Sequence, residues 1–141
     1  MRISITIKQA PVPIKRAPIR KILRRVARSQ GWTGDLSVAI LDDAAIAAVN
    51  ARFHGVRGPT DVLAFHYGAD ADGIEGEIVV SAETAKRVAA SLDETPEREL
   101  MRYVVHGLLH LCGHDDHSPA GRRRMERLQE RFLAEEEELR A

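Results

Sequence analysis

The segment between Thr95-Pro96 and Gly113 constrains this chain more than any other. Thr95 supplies a helix N-cap, Pro96 suits the first helical turn, and Gly113 marks the stop. Between them Leu100, Met101, Val104, Val105, Leu108, Leu109 and Leu111 make the helix apolar nearly all round. A helix of that kind belongs inside a fold, so the remaining elements have to cover it.

Those elements can be read from periodicity and punctuation. Residues 2–8 alternate Ile with polar side chains, the pattern of a half-buried strand. A proline-rich link from Pro11 to Pro18 leads into a helix whose stripe is Ile19, Ile22, Leu23 and Val26, with Gly31 as its stop. Leu36 to Leu41 reads as a strand. Asp42 and Asp43 then open a helix that runs through Ile46 and Val49 to about Phe53, with Gly55 after it. Gly58-Pro59-Thr60-Asp61 is a turn before the short apolar strand Val62-Leu63-Ala64-Phe65. Residues 67–76, rich in Gly, Asp and Ala, read as a connection, and Glu77 to Val80 as a strand. Ser81 caps a helix to about Leu92, and Ser118-Pro119 opens a final, highly charged helix. The order β-α-β-α-β-β-α-α-α predicts an α+β fold: a mixed sheet of about four strands with helices packed on it. With 141 residues and no internal repeat or linker, residues 1–141 are expected to form one domain.

Composition excludes several classes. No apolar run approaches the roughly 18 residues of a membrane span, so no membrane association is expected. The N-terminus lacks the apolar core of a signal peptide, and the single cysteine, Cys112, excludes an intrachain disulfide, so a cytoplasmic location is expected. Formal net charge is zero, but residues 1–30 hold Arg2, Lys8, Lys15, Arg16, Arg20, Lys21, Arg24, Arg25 and Arg28 with no acid. Such a segment can present a phosphate-binding face, although a solvated, Arg-rich helix surface has the same composition.

The chemistry concentrates at 106–117, His106-Gly-Leu-Leu-His110-Leu-Cys-Gly113-His114-Asp115-Asp116-His117. Positions i and i+4 share a helix face, so His106 and His110 can point at one ion. Two imidazoles buried in an apolar helix are costly without partners, and metal ligation satisfies both. Glycine at 113 lets the chain fold back and offer a third ligand from the His/Asp cluster. Three protein ligands and an open position describe a catalytic zinc site at the end of a central helix, holding one Zn2+. A metalloprotease helix would carry Glu directly after its first His; Gly107 stands there, so that reading lacks its general base. Glycine at 107 points instead to close approach of a neighbouring element or of substrate.

Taken together, His106-Gly-x-Leu-His110-Leu-x-Gly113 with the Asp/His cluster resembles the signature of the YbeY family of endoribonucleases, or rRNA maturation factors. Two further segments agree. Asn50 to Phe65, with Gly55 and Pro59-Thr60-Asp61-Val62-Leu63-Ala64-Phe65, resembles the family's Asn…Gly…Pro-Thr-Asp-Val-Leu-Ser-Phe stretch. Gly76-Glu77-Ile78-Val79-Val80-Ser81 resembles its Gly-Asp-Ile-Val-Ile-Ser strand. The resemblance implies a zinc-binding α+β protein that cleaves single-stranded RNA. It also implies roles in maturing the 16S ribosomal RNA 3′ end and in ribosome quality control. Ribosomal RNA and the small ribosomal subunit are then the expected partners, and DNA is not.

Two departures from the family pattern matter. The third family His stands ten residues after the first, where this chain has Asp116, and a His follows at 117. Strict register makes Asp116 the third ligand and preserved chemistry makes it His117; zinc accepts either donor. Register needs no backbone insertion, which favours Asp116. At His54 the family commonly carries an Arg that serves catalysis or RNA binding. Imidazole can hydrogen-bond a phosphate or carry a proton, but it makes no bidentate clamp; Arg57 can take over the charge. His54 and Arg57 are therefore the catalytic candidates, and Arg20, Arg24 and Arg28 the candidate track for the RNA strand. Two rival readings remain: an assembly factor with a closed, four-ligand structural metal, and a metallohydrolase acting on a small molecule.

Overall fold

The computed structural model describes residues 1–55, 58, 60–68 and 73–140. Among them the order is β1 (Ile3–Ile7), α1 (Arg16–Gln30), β2 (Asp35–Leu41), α2 (Asp43–His54), β3 (Val62–His66), β4 (Ile74–Ser81), α3 (Ala82–Ser91), α4 (Pro96–Leu111) and α5 (Pro119–Arg140). The sequence of element types is the one periodicity predicts. The strands form one sheet in the order β1-β2-β4-β3. β1 and β4 run parallel to β2, whereas β3 pairs antiparallel with β4 at the edge. The fold is α+β with a mixed, four-stranded sheet.

Strand alternation divides the core in two. Val38, Ile40, Ile78 and Val80 turn one way and join the α1 residues Ile19, Ile22, Leu23 and Val26 and the α4 residues Leu100, Val104, Val105 and Leu108. Leu41 and Val79 turn the other way, with Leu63 and Phe65 beside them, and meet Ile46 of α2. α4 is enclosed except along its histidine face, where His106 is half-buried and His110 exposed, so the expected burial of both imidazoles is not met because that face opens at the sheet edge; α2 packs against the opposite face of the sheet.

Local signals account for most boundaries. Asp42 accepts the Ala45 amide, Ser81 the Thr84 amide and Thr95 the Arg98 amide, so three helices start on capping side chains. α1 begins at Arg16 rather than at Pro18; within the first turn the missing proline N–H is one that lacks a helical partner anyway. β4 starts at Ile74, three residues before the expected Glu77. Gly76 reads as loop in the sequence, yet a Cβ there would meet Leu111 Cδ1 at 2.8 Å. The glycine serves close packing of α4 on the sheet, not a turn.

Candidate metal centre

α4 carries His106 and His110 one turn apart near its C-terminal end. Between them Gly107 lies directly on the sheet: a Cβ would meet Ile78 Cγ2 at 2.8 Å and Val62 Cγ2 at 3.3 Å. Of the two close approaches the sequence allowed at 107, the structure has the neighbouring element. Because β3 is the edge strand, this contact sets the two imidazoles beside an open sheet edge.

The chain turns back after α4 at Gly113, whose φ of 97° is left-handed. His114 Nε2 is 2.8 Å from Gln30 Oε1, which ties this loop to the end of α1. The Asp115 carboxylate accepts the His117 amide at 2.8 Å, and the Asp115 carbonyl lies against Gly121 of α5, where a Cβ has no room. So braced, the loop brings Asp116 Oδ2 to 3.6 Å from His106 Nε2.

These groups share a cavity of about 310 Å³, lined by His106, Gly107, His110 and Asp116 on one side and by Thr60, Asp61 and residues 62–64 on the other, with His54 at its rim. His54 comes from the last turn of α2, on the opposite face of the sheet, so the cavity wraps around the β3 edge. Its ring stacks on Phe65 (centroids 5.4 Å, planes 22° apart), and Phe53 meets Phe65 edge-on at 5.6 Å. Arg57 lies outside the described residues. His117 does not line the cavity: its side chain is 85% exposed, with Nε2 3.9 Å from Asp115 Oδ1. Among the described residues, the three donors that fall within 4.8 Å of one another are those of Asp115, Asp116 and His117; His106 and His110 do not complete such a group with Asp116.

One donor pair of the expected set, His106 and Asp116, stands at a spacing that fits a divalent ion of the zinc type. Two donors about 2.1 Å from one tetrahedral ion stand roughly 3.4 Å apart. The 3.6 Å between His106 Nε2 and Asp116 Oδ2 matches that span and is too long for a good hydrogen bond. The other ring nitrogen, Nδ1, lies 3.1 Å from Gln129 Oε1 of α5. A ligating imidazole donates its other ring N–H to such a partner, which leaves the ligating nitrogen unprotonated.

Several contacts at this site escaped the sequence reading. Thr60 and Asp61 read only as a turn but line the cavity; Asp61 Oδ1 accepts the Val62 amide at 2.8 Å, and the Asp61 carbonyl accepts the Ser81 amide at 3.0 Å. Buried Asn50 donates to the Gly58 carbonyl at 3.2 Å and holds the strand-entry loop. Gln129 was hidden in a charged helix; its one signal is a place beside Met125, Phe132 and Leu133 on the buried stripe of α5. The basic candidates stand apart. Lys21, Arg24, Arg25 and Arg28 border a separate groove with Leu139, and none of Arg20, Arg24 and Arg28 lines the cavity. Arg25 is committed to Glu136 at 2.6 Å, while Arg24 reaches the Met1 carbonyl at 3.3 Å.

Comparison with known proteins agrees with this arrangement. The family model described as endoribonuclease YbeY matches residues 4–137. A Moorella thermoacetica protein named endoribonuclease YbeY is 36% identical over 150 residues, covering 95% of this chain and 96% of that one. Its namesake from Salinibacter ruber is 36% identical over 124 residues, 82% of this chain and 79% of the relative. With the Rhodopirellula baltica protein of the same name, identity is 45% over 96 residues; the match spans 67% of this chain and half of that longer one. In fold, the solution structure of a Thermotoga maritima protein superposes with a TM-score of 0.66 at 24% identity, covering 95% of this chain and 88% of the other. With its fold and the histidine helix concordant, the chain belongs to the YbeY endoribonuclease family.

Proposed function

We propose that residues 1–141 form a single-domain, zinc-dependent endoribonuclease in which His106, His110 and Asp116 hold one Zn2+. The observation that carries this reading is the shared cavity, lined by two imidazoles one helical turn apart and by a carboxylate that stands 3.6 Å from His106 Nε2. The proposed substrate is single-stranded RNA, at the 3′ end of 16S ribosomal RNA and in quality control of the small ribosomal subunit, in the cytoplasm. The relatives' name supports the RNA substrate. No helix among the described residues is long and apolar enough to cross a membrane.

A bound zinc ion supplies Lewis acidity toward a phosphodiester oxygen and toward water. The rest falls to the chain. His54, which lines the cavity, donates a hydrogen bond to a phosphate oxygen or carries a proton, with its ring braced by Phe65. Arg57, three residues on, neutralises charge developing on the phosphate. Asp61 holds the β3 entry by accepting the Val62 amide at Oδ1. Arg20, Arg24 and Arg28 track the strand farther from the cavity. A closed structural site would need His117 as well, and that ring points to solvent.

Elemental analysis joined to an RNA-cleavage assay tests the reading. The expected result is about one zinc per chain and cleavage of single-stranded RNA that stops with chelator and in His106→Ala. Cleavage undiminished in a metal-free His106→Ala protein overturns it.

A further inference from the structure

We propose that Gln129 is a positioning residue for His106: its amide, oriented by Glu130 and Arg102, keeps the proton on Nδ1 and leaves Nε2 free toward Asp116. The inference rests on the reading of His106 as a ligand and extends it to α5.

A glutamine on an apolar stripe needs a reason. Gln129 is only 8% exposed, among Met125, Phe132 and Leu133. A buried amide left unpaired forfeits its hydration with nothing in return, so both of its ends must find partners. Here they do. Oε1 faces His106 Nδ1 at 3.1 Å, and Nε2 donates to Glu130 Oε2 at 3.3 Å.

The neighbours decide which way the amide points. Glu130 accepts a fork from Arg102, with Nε 2.9 Å from Oε2 and Nη2 3.0 Å from Oε1. Arg102 is held in turn by Glu94 at 2.9 Å and by the buried Glu99. An ionised carboxylate only accepts, so it selects the NH2 end of Gln129. Turning the amide over would set its carbonyl against the Glu130 carboxylate. Oε1 is therefore the atom that meets the imidazole, and an acceptor there requires the proton on Nδ1. The polarity of an ion cluster at the α4–α5 surface, of which Glu99 is buried and Glu130 exposed, is thereby passed through one amide to the ring nitrogen that faces Asp116.

This explains why α4 and α5 enclose so many charges next to a metal-binding helix. It also gives α5, outside the histidine motif, a defined part in that motif's chemistry.

The test uses the full chain. In metal-free wild type at pH 8, above the ordinary imidazole range, nitrogen NMR of 15N-histidine-labelled protein should show His106 as the Nδ1–H tautomer. Gln129→Met keeps volume and helix preference but removes the acceptor. It should lose that tautomer and bind Zn2+ about 10–100-fold more weakly in chelator competition. Gln129→Glu combined with Glu130→Gln restores an acceptor without setting two carboxylates together, and should recover Nδ1–H and most of the affinity. A purely structural role would lower the Tm of Gln129→Met without moving the tautomer. An Nε2–H wild type overturns the proposal whatever the variants do, as does a Gln129→Met protein with unchanged tautomer and affinity. Wild type that shows Nδ1–H but binds no Zn2+ overturns the ligand reading instead.

Discussion

Gly107 and Ile78 are in such close contact that a side-chain carbon at 107 would stand 2.8 Å from Ile78 Cγ2. The glycine is flanked on α4 by residues 106 and 110, so its contact fixes how far both imidazoles stand from the β3 edge. Packing of helix on sheet and geometry of the cavity are one structural fact here.

Gly107→Ala puts two effects in opposition. Alanine gains about 1 kcal/mol of helix propensity, whereas overpacking a filled core costs about 1–3 kcal/mol. Ile78 is fully buried and has little room to give, so the loss should win by about 1 kcal/mol. Urea unfolding should show a lower midpoint at unchanged slope. Metal affinity should fall as well, because lifting α4 moves both histidines. A stabilised Gly107→Ala protein would show that the contact yields.

The ion cluster between α4 and α5 should make stability depend on acid. Glu94 is held below its ordinary value of 4.5 chiefly by its hydrogen bonds from Arg102, against the upward push of burial. In Glu130 burial raises the carboxyl, but hydrogen bonds from Arg102 and Gln129 outweigh it and the net shift is downward. Groups with depressed folded values bind protons more readily when unfolded, so their contribution is fully present above about 4.5 and is lost as pH falls below it. Arg102→Leu should remove this dependence and cost about 3 kcal/mol, because it strands the buried Glu99. Urea titrations of both proteins between pH 3 and 7 check it; parallel curves would dismiss the cluster as the cause.

What the sequence made legible, and what it hid, divides along physical lines. Order and type of the elements follow from periods of two and of 3.6, and the capping residues Asp42, Ser81 and Thr95 mark helix starts by local chemistry. The pairing of His106 with His110 follows from one helical turn. Contacts made by tertiary approach were not legible. Gly76 resembles a loop residue until Leu111 is seen against it, and Gln129 resembles one more polar residue of a charged helix until its stripe is seen to be buried. Thr60 and Asp61 carry a turn signal that says nothing of the cavity they border. The few aromatics suggested no grouping, yet Phe53, His54 and Phe65 are brought together by α2 and β3 meeting across the sheet.

If α1 tracks the RNA strand, affinity should carry its signature in salt. Arg24 and Arg28 are exposed and Arg20 half-buried. Each neutralised phosphate contributes a log–log slope of roughly −0.7 on single strands. Replacing Arg20, Arg24 and Arg28 by Gln should therefore flatten the slope by about 2, read by anisotropy of a labelled single-stranded RNA across salt concentrations. A slope equal to that of wild type assigns the strand to another surface, because Arg24 and Arg28 border a groove separate from the cavity and Arg20 lines neither.

The third ligand can be decided by comparing two neighbours. Asp116 lines the cavity with its carboxylate 3.6 Å from His106 Nε2, whereas His117 points outward at 85% exposure. Asp116→Ala should weaken Zn2+ binding at least tenfold, since a three-ligand site loses one of its donors. His117→Ala should leave affinity within about twofold, as a solvated ring 3.9 Å from Asp115 contributes little. Chelator competition measures both. The reverse order, with His117→Ala the weaker binder, would mean that the loop swings on binding and that ligand chemistry, not register, governs position 116.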